Sequence, residues 1–183
     1  EIKNISLLGS KGSGKTTLAE AMLFECGVIK RRGTVEAKNT VCDYFPVEKE
    51  YGSSVFSTVI YAEFLGKKLN VIDCPGADDF VGNAVTALNV TDTGLIVVNA
   101  QYGVEVGTQN IFRTTAGVNK PVIFALNQLD GEKADYDNVM EQMREVFGPK
   151  IVAIQYPLQC GPGFNAMIDV QRVKKSSRTA TAR

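Results

Sequence analysis

At 183 residues, with 44% hydrophobic and 22% charged residues, the chain has the length of one compact domain and enough apolar side chain for a core, which excludes disorder throughout. It has no histidine, so imidazole chemistry, from Ser-His-Asp triads to His-ligated zinc, is excluded as well. Twenty basic residues balance twenty acidic ones, but the last twelve residues hold five of the bases (Arg172, Lys174, Lys175, Arg178 and Arg183) and no acid, so residues 1–171 are net acidic. That sign gives no compositional case for a DNA-binding face.

Residues 2–9 form a short apolar run, then Gly9, Gly12 and Gly14 break it, and a good helix former begins at Thr16; this reads as strand, glycine loop, helix. From 27 to 53 periodicity fades, which predicts a long loop, functional or mobile. Residues 55–65 alternate as a strand, 66–68 turn, and 69–73 return as the hairpin partner. Regular alternation follows: helix 80–90, strand 94–100, helix 108–116, strand 122–127, helix 136–147, strand 151–156. Strands alternating with helices predict an α/β fold with a mostly parallel sheet, one antiparallel hairpin strand and helices on both faces. Residues 1–170 are expected to form this domain and 171–183 a basic, disordered tail.

Cys26, Cys42, Cys74 and Cys160 are widely spaced, with no C-x-x-C pair, which fits reduced thiols. No apolar run approaches the roughly 18 residues of a membrane span, and the first residues lack the regions of a signal peptide. A soluble, cytoplasmic protein without a membrane partner is expected. A monomer is the default, since no long heptad asks for a partner.

Gly9-Ser10-Lys11-Gly12-Ser13-Gly14-Lys15-Thr16 fits the phosphate-binding loop pattern G-x-x-x-x-G-K-[ST]. Its glycines let backbone N–H groups turn toward phosphates, Lys15 neutralises the outer phosphates, the Thr16 hydroxyl suits Mg²⁺, and Thr17 continues into the helix. Asp73-Cys74-Pro75-Gly76 ends the second hairpin strand, where a carboxylate serves Mg²⁺ and Gly76 can turn its N–H to a terminal phosphate. Asn127-Gln128-Leu129-Asp130 closes a later strand. Asp130 can accept from the guanine N1–H and exocyclic amino group, which adenine lacks, and Asn127 can tie the loop to the P-loop and to the base. A P-loop kinase or ATPase is the alternative reading, and competition of guanine against adenine nucleotides decides between the two.

With these motifs in this order, the sequence resembles the translational GTPases, and most closely the GTP-binding domain of elongation factor G, from about residue 3 to about residue 170. The stretch 69–80 is similar to that family's switch II, Tyr102-Gly103-Val104-Glu105 to its segment after the next strand, and Ile154-Gln155-Tyr156-Pro157-Leu158 to its final strand before an insertion. The resemblance implies a P-loop GTPase fold, GTP and GDP, Mg²⁺, and the ribosome as partner through large-subunit ribosomal RNA and proteins in translocation. It implies that Ser54 stands where switch I supplies a threonine to Mg²⁺.

The departures carry expectations of their own. Ala77 stands where the family has the histidine that positions the attacking water, Gly12 where an aspartate is usual, and Gln128 where a lysine covers the purine face. Hydrolysis is therefore expected to be impaired while GTP binding persists, since a positioned acid or base contributes on the order of 10²–10⁴-fold. The competing expectation is a fully active ribosome-stimulated GTPase in which Asp78 or a ribosomal element replaces that group. The family's serine-alanine guanine loop is not recognisable, although residues 159–163 could pass for one, and the chain reads as part of a longer multidomain factor.

Overall fold

The computed structural model describes residues 1–76, 81–171 and 174–177. These residues fall into two compact units, Glu1–Val98 with Glu105–Ala125, and Asn99–Val104 with Leu126–Arg183.

In the first unit, strand β1 (Ile2–Leu8) runs through the glycine loop into helix α1 (Lys15–Glu25). The β2 (Thr58–Phe64) and β3 (Lys67–Asp73) strands form the expected hairpin, closed by a tight turn at Leu65 and Gly66, both at positive φ (49° and 72°), as a two-residue turn between right-twisted strands requires. Helix α3 (Val81–Val90), strand β4 (Thr93–Asn99), helix α4 (Val106–Gly117) and strand β5 (Val122–Asn127) follow, with Asn99 at the end of β4 and Leu126 and Asn127 at the end of β5 counted in the second unit. The sheet order is β2-β3-β1-β4-β5, with β1 parallel to both β3 and β4 and only β2 shown antiparallel to its neighbour β3.

Side-chain alternation along β1 gives each sheet face its own cover. Leu7 packs with Ala19 and Leu23 of α1, with Ile60 and Val71 of the hairpin, and with Cys42. The opposite face meets α3 and α4: Thr91 Oγ1 donates to Ser6 Oγ at 3.3 Å, and Gly94 lies so close to Leu8, Leu88 and Thr115 that a Cβ there would sit 3.3 Å from both leucines. Helices on both faces are thus built from one strand's odd and even residues.

In the second unit, helix α5 (Tyr136–Phe147) is capped by Asp135, whose side chain accepts the N–H of Asn138 at 3.0 Å, an ordinary N-cap. Its buried face is Tyr136, Val139, Met140 and Met143, the spacing of an amphipathic helix. Strands β6 (Gln155–Pro157), β7 (Ala166–Asp169) and β8 (Lys174–Ser177) form a separate antiparallel sheet.

Three expectations change. The loop at 27–53 contains a short helix, α2 (Pro46–Tyr51), which starts with Pro at a first-turn position and ends at Gly52 in the left-handed conformation, both recognised boundary signals. The strand expected at 151–156 is regular only from Gln155 and pairs antiparallel with β7 instead of extending the parallel sheet. Four residues of the expected tail, Lys174–Ser177, pair with β7 as β8.

Candidate functional site

The glycine loop lies between β1 and α1 and is folded tightly. Gly9 has φ +142° and leaves no room for a Cβ, which would strike the carbonyl oxygen of Val97. The Ser13 N–H donates to the Ser10 carbonyl at 3.2 Å, and the Ser10 hydroxyl meets that of Thr108 at 3.1 Å, fixing the loop against α4. Gly9, Ser10, Ser13, Lys15 and Thr16 are buried, whereas Lys11, Gly12 and Thr17 are exposed and Gly14 is half-buried. Gly14 is the N-cap of α1 and supplies no side-chain cap.

Lys15 folds its ammonium back on the loop, donating to the Gly9 carbonyl at 2.9 Å and the Ser10 carbonyl at 3.0 Å. Burial lowers its pKa, opposed first by the charge of Asp73. Gly76 presses on the same place: a Cβ there would collide with Lys15 Nζ and come within 2.9 Å of the Gly9 carbonyl oxygen. The strand end after Asp73 and the glycine loop therefore converge on one cationic group.

Around it the structure brings together Thr16, Ser54 and Asp73. Thr16 Oγ1 donates to Asp73 Oδ2 at 3.0 Å and lies 3.1 Å from Ser54 Oγ. A residue not singled out in the sequence completes the group: Asp43, also buried, whose Oδ1 accepts from Ser54 Oγ at 2.6 Å. Nothing in the sequence separates Asp43 from the other acids of the aperiodic loop, Glu36, Glu48 and Glu50. Each hydroxyl has one proton, so the two hydroxyls share theirs between the carboxylates and each other, and in the Thr16–Ser54 contact either oxygen can be the donor. Asp73 Oδ1, on a residue only 1% exposed, accepts from no N–H or O–H among the described residues, and the Cys42 thiol bonds the same carboxylate.

Burial pushes the Asp73 carboxyl up to about 6, against the pull of Lys15 and Thr16. Burial also raises Asp43, with Ser54 opposing, and lifts the neighbouring Cys74 thiol to about 12. These groups fit a small hard cation. An octahedral ion with bonds near 2.1 Å sets adjacent oxygen ligands about 3 Å apart, which matches the Thr16–Ser54 separation. The Asp73 carboxylate supplies negative charge beside them.

The remaining candidates, Asn127, Gln128 and Asp130, belong to the second unit. The Asn127 carbonyl accepts the Ala100 N–H at 2.9 Å. Gln128 adopts φ +58°, and its Oε1 accepts from Asn99 Nδ2 at 2.8 Å and Gln101 Nε2 at 3.3 Å, so its amide is engaged in a side-chain network. Leu129 is buried and Asp130 exposed. The Gly161 N–H donates to the Leu129 carbonyl at 2.8 Å, bringing residues 159–163 against this loop. Ala77 lies outside the described residues.

Among the described residues no helix is long and apolar enough to cross a membrane. Residues 1–180 match the family model described as the elongation factor Tu GTP binding domain. The chain is 34% identical to an elongation factor G-like protein of Thermotoga maritima over 94% of its own length and 25% of that protein. It is 31% identical to peptide chain release factor 3 of Lactobacillus delbrueckii subsp. bulgaricus, over 94% of this chain and 34% of that one. A crystal structure of a Thermus thermophilus protein superposes with a TM-score of 0.92 at 36% identity, covering 98% of this chain and 27% of the other. The chain thus spans between a quarter and about a third of these relatives' length. With a P-loop, a strand-end aspartate and a mostly parallel sheet already in place, these matches identify the chain as a member of the elongation factor Tu GTP-binding domain family, the GTPase domain of translation factors.

Proposed function

We propose that this chain is the GTP-binding switch domain of an elongation factor G-like translation factor that acts on the ribosome in translocation, and that its own GTP hydrolysis is impaired. In this reading Gly9, Ser10, Lys11, Gly12, Ser13, Gly14, Lys15, Thr16 and Thr17 hold the phosphates. Lys15 turns from the Gly9 and Ser10 carbonyls to the outer phosphates, and the Gly76 N–H faces the terminal one. Thr16, Ser54 and Asp73 hold Mg²⁺, which when bound neutralises phosphate charge. Asn127, Gln128 and Asp130 recognise guanine. The ribosomal partners in this reading are large-subunit RNA and proteins, as the resemblance to elongation factor G implies.

The observation that carries impaired hydrolysis is chemical: Ala77 follows Asp73-Cys74-Pro75-Gly76, and the chain has no histidine anywhere to stand in for a water-positioning imidazole. Multiple-turnover phosphate release with and without ribosomes tests it. We expect slow release in both, and Ala77→His to raise the ribosome-stimulated rate on the order of tenfold or more with GTP affinity changed less than about twofold. Release by the unmodified protein as fast as by a histidine-bearing relative would refute impaired hydrolysis.

Base choice has its own test. Asp130→Asn is expected to weaken GTP binding by on the order of tenfold, the loss of a charge-assisted pair of hydrogen bonds, and to shift preference toward xanthine, whose C2 carbonyl accepts where guanine donates. Competition among GTP, XTP and ATP measures this, and intact guanine selectivity would remove Asp130 from the base site.

A further inference from the structure

We propose that Glu20 and Glu48 are positioning residues that fold the loop at 27–57 over the phosphate end of the site and thereby hold Ser54 and Asp43 against Thr16 and Asp73. The proposal rests on the GTP and Mg²⁺ reading given above. Both carboxylates are buried, at 0% and 1% exposure, and their partners are backbone N–H groups. Glu20, on α1, takes the Gly33 N–H through Oε2 at 2.9 Å and the Val41 N–H through Oε1. Glu48, on α2, takes the Phe45 N–H through Oε2 at 3.2 Å, and the Val55 and Phe56 N–H groups through Oε1 at 3.0 and 3.1 Å.

A carboxylate buried this deeply is costly unless several donors satisfy it, and here five amides from four separate points of the loop do so. The two grips bracket the site. Glu20 fixes Val41, two residues before Asp43, and Glu48 fixes Val55, directly after Ser54. Between them the Ser54 hydroxyl bonds Asp43, and Thr58 Oγ1 closes the loop's base on the Cys42 carbonyl at 2.9 Å. Cys42 is itself part of the apolar cluster with Leu7, Ala19 and Val71. The loop is thus registered on the sheet and on α1 through its own backbone. The glutamates act through Ser54 and Asp43 and touch neither phosphate nor metal.

The test measures GTP affinity of the chain at saturating Mg²⁺ and in EDTA, for the unmodified protein, Glu20→Gln, Glu48→Gln, Ser54→Ala, and Glu48→Gln combined with Ser54→Ala. A glutamine puts an NH₂ where one oxygen met a backbone N–H, so each grip is broken on one side. We expect each glutamine variant to lose the Mg²⁺-dependent gain in affinity by about tenfold while affinity in EDTA changes less than twofold. We also expect Glu48→Gln to add little once Ser54 is alanine, since the two act as one unit. Equal losses with and without Mg²⁺, or fully additive losses in the double variant, would overturn the proposal.

Should the glutamine variants fail to fold, hydrogen exchange on the unmodified chain decides. The amides of Gly33, Val41, Phe45, Val55 and Phe56 are expected to exchange as one slow class, and to slow by tenfold or more when Mg²⁺ is added to the GTP complex. Independent exchange of the five, or no response to Mg²⁺, would overturn it. Failure of the unmodified chain to bind GTP at all would overturn both this proposal and the underlying reading, and it is seen before any substitution is made.

Discussion

Lys15→Ala is expected to lower GTP affinity by about 10- to 150-fold, the equivalent of the roughly 1.5–3 kcal/mol of a hydrogen bond to a charged group. The ammonium is already where the phosphate end converges, bonded to two loop carbonyls and pressed by Gly76. Its burial, which lowers its pKa, means that a polyanion beside it restores much of the stabilisation that leaving water removed. Folding should suffer far less than binding, because the substitution removes a costly buried charge at the same time as two hydrogen bonds. Equilibrium titration with a fluorescent GTP analogue, beside a melting curve, separates the two. Unchanged affinity would count against the entire phosphate-site assignment.

The second large effect belongs to Asp73. Its folded-state carboxyl sits at about 6 because it is buried, against about 3.9 in an unfolded chain, so the folded state holds the proton more tightly. The sign follows from linkage: above pH 6 the ionised group costs the fold about 2–3 kcal/mol, and this cost fades as pH falls from 6 toward 4. In EDTA, stability measured by denaturant unfolding is therefore expected to rise on acidification through that window. Asp73→Asn should flatten the profile, raise stability at pH 7.5, and abolish the stabilisation that Mg²⁺ and GTP give the unmodified protein. A variant less stable than the unmodified protein at pH 7.5 in EDTA would show that the Lys15 and Thr16 contacts outweigh burial.

Much of the sheet was legible because each element had its own local signal. The apolar strand passing into a glycine loop, the alternation of the β2–β3 hairpin, and the spacing of Tyr136, Val139, Met140 and Met143 on α5 all act within a few residues. The sequence also marked Thr16 and Asp73, and the family resemblance marked Ser54; the structure brings these three together. What was not legible depends on contacts distant in sequence. Asp43 joins the group through Ser54, eleven residues away, and Glu20 reaches twenty-one residues to Val41. Asp43 belongs to no periodic pattern, and Glu20, on the buried stripe of α1, gives no local sign of so distant a partner. The β6 strand was misplaced for the same reason, since a short strand bounded by Pro157 takes its partner from β7, whose own run is only four residues long.

The register of the hairpin has a mechanical consequence. Asp73 is indexed twice, opposite Thr58 of β2 and beside Leu7 of β1. Lengthening or shortening the Leu65–Gly66 turn, where Leu65 is 84% exposed, shifts one strand against the other, and a one-residue slip reverses every side chain of the strand that moves. With β3 locked to β1 over six paired positions, it is β2 that must give way, carrying Thr58 and the loop behind it. Thr58 is bonded to the Cys42 carbonyl, and the loop behind it is fixed to α1 through Glu20 and to the apolar cluster through Cys42, so a slip of β2 works against each of those contacts. A one-residue insertion in the exposed Leu65–Gly66 turn is therefore expected to strain the loop at its base.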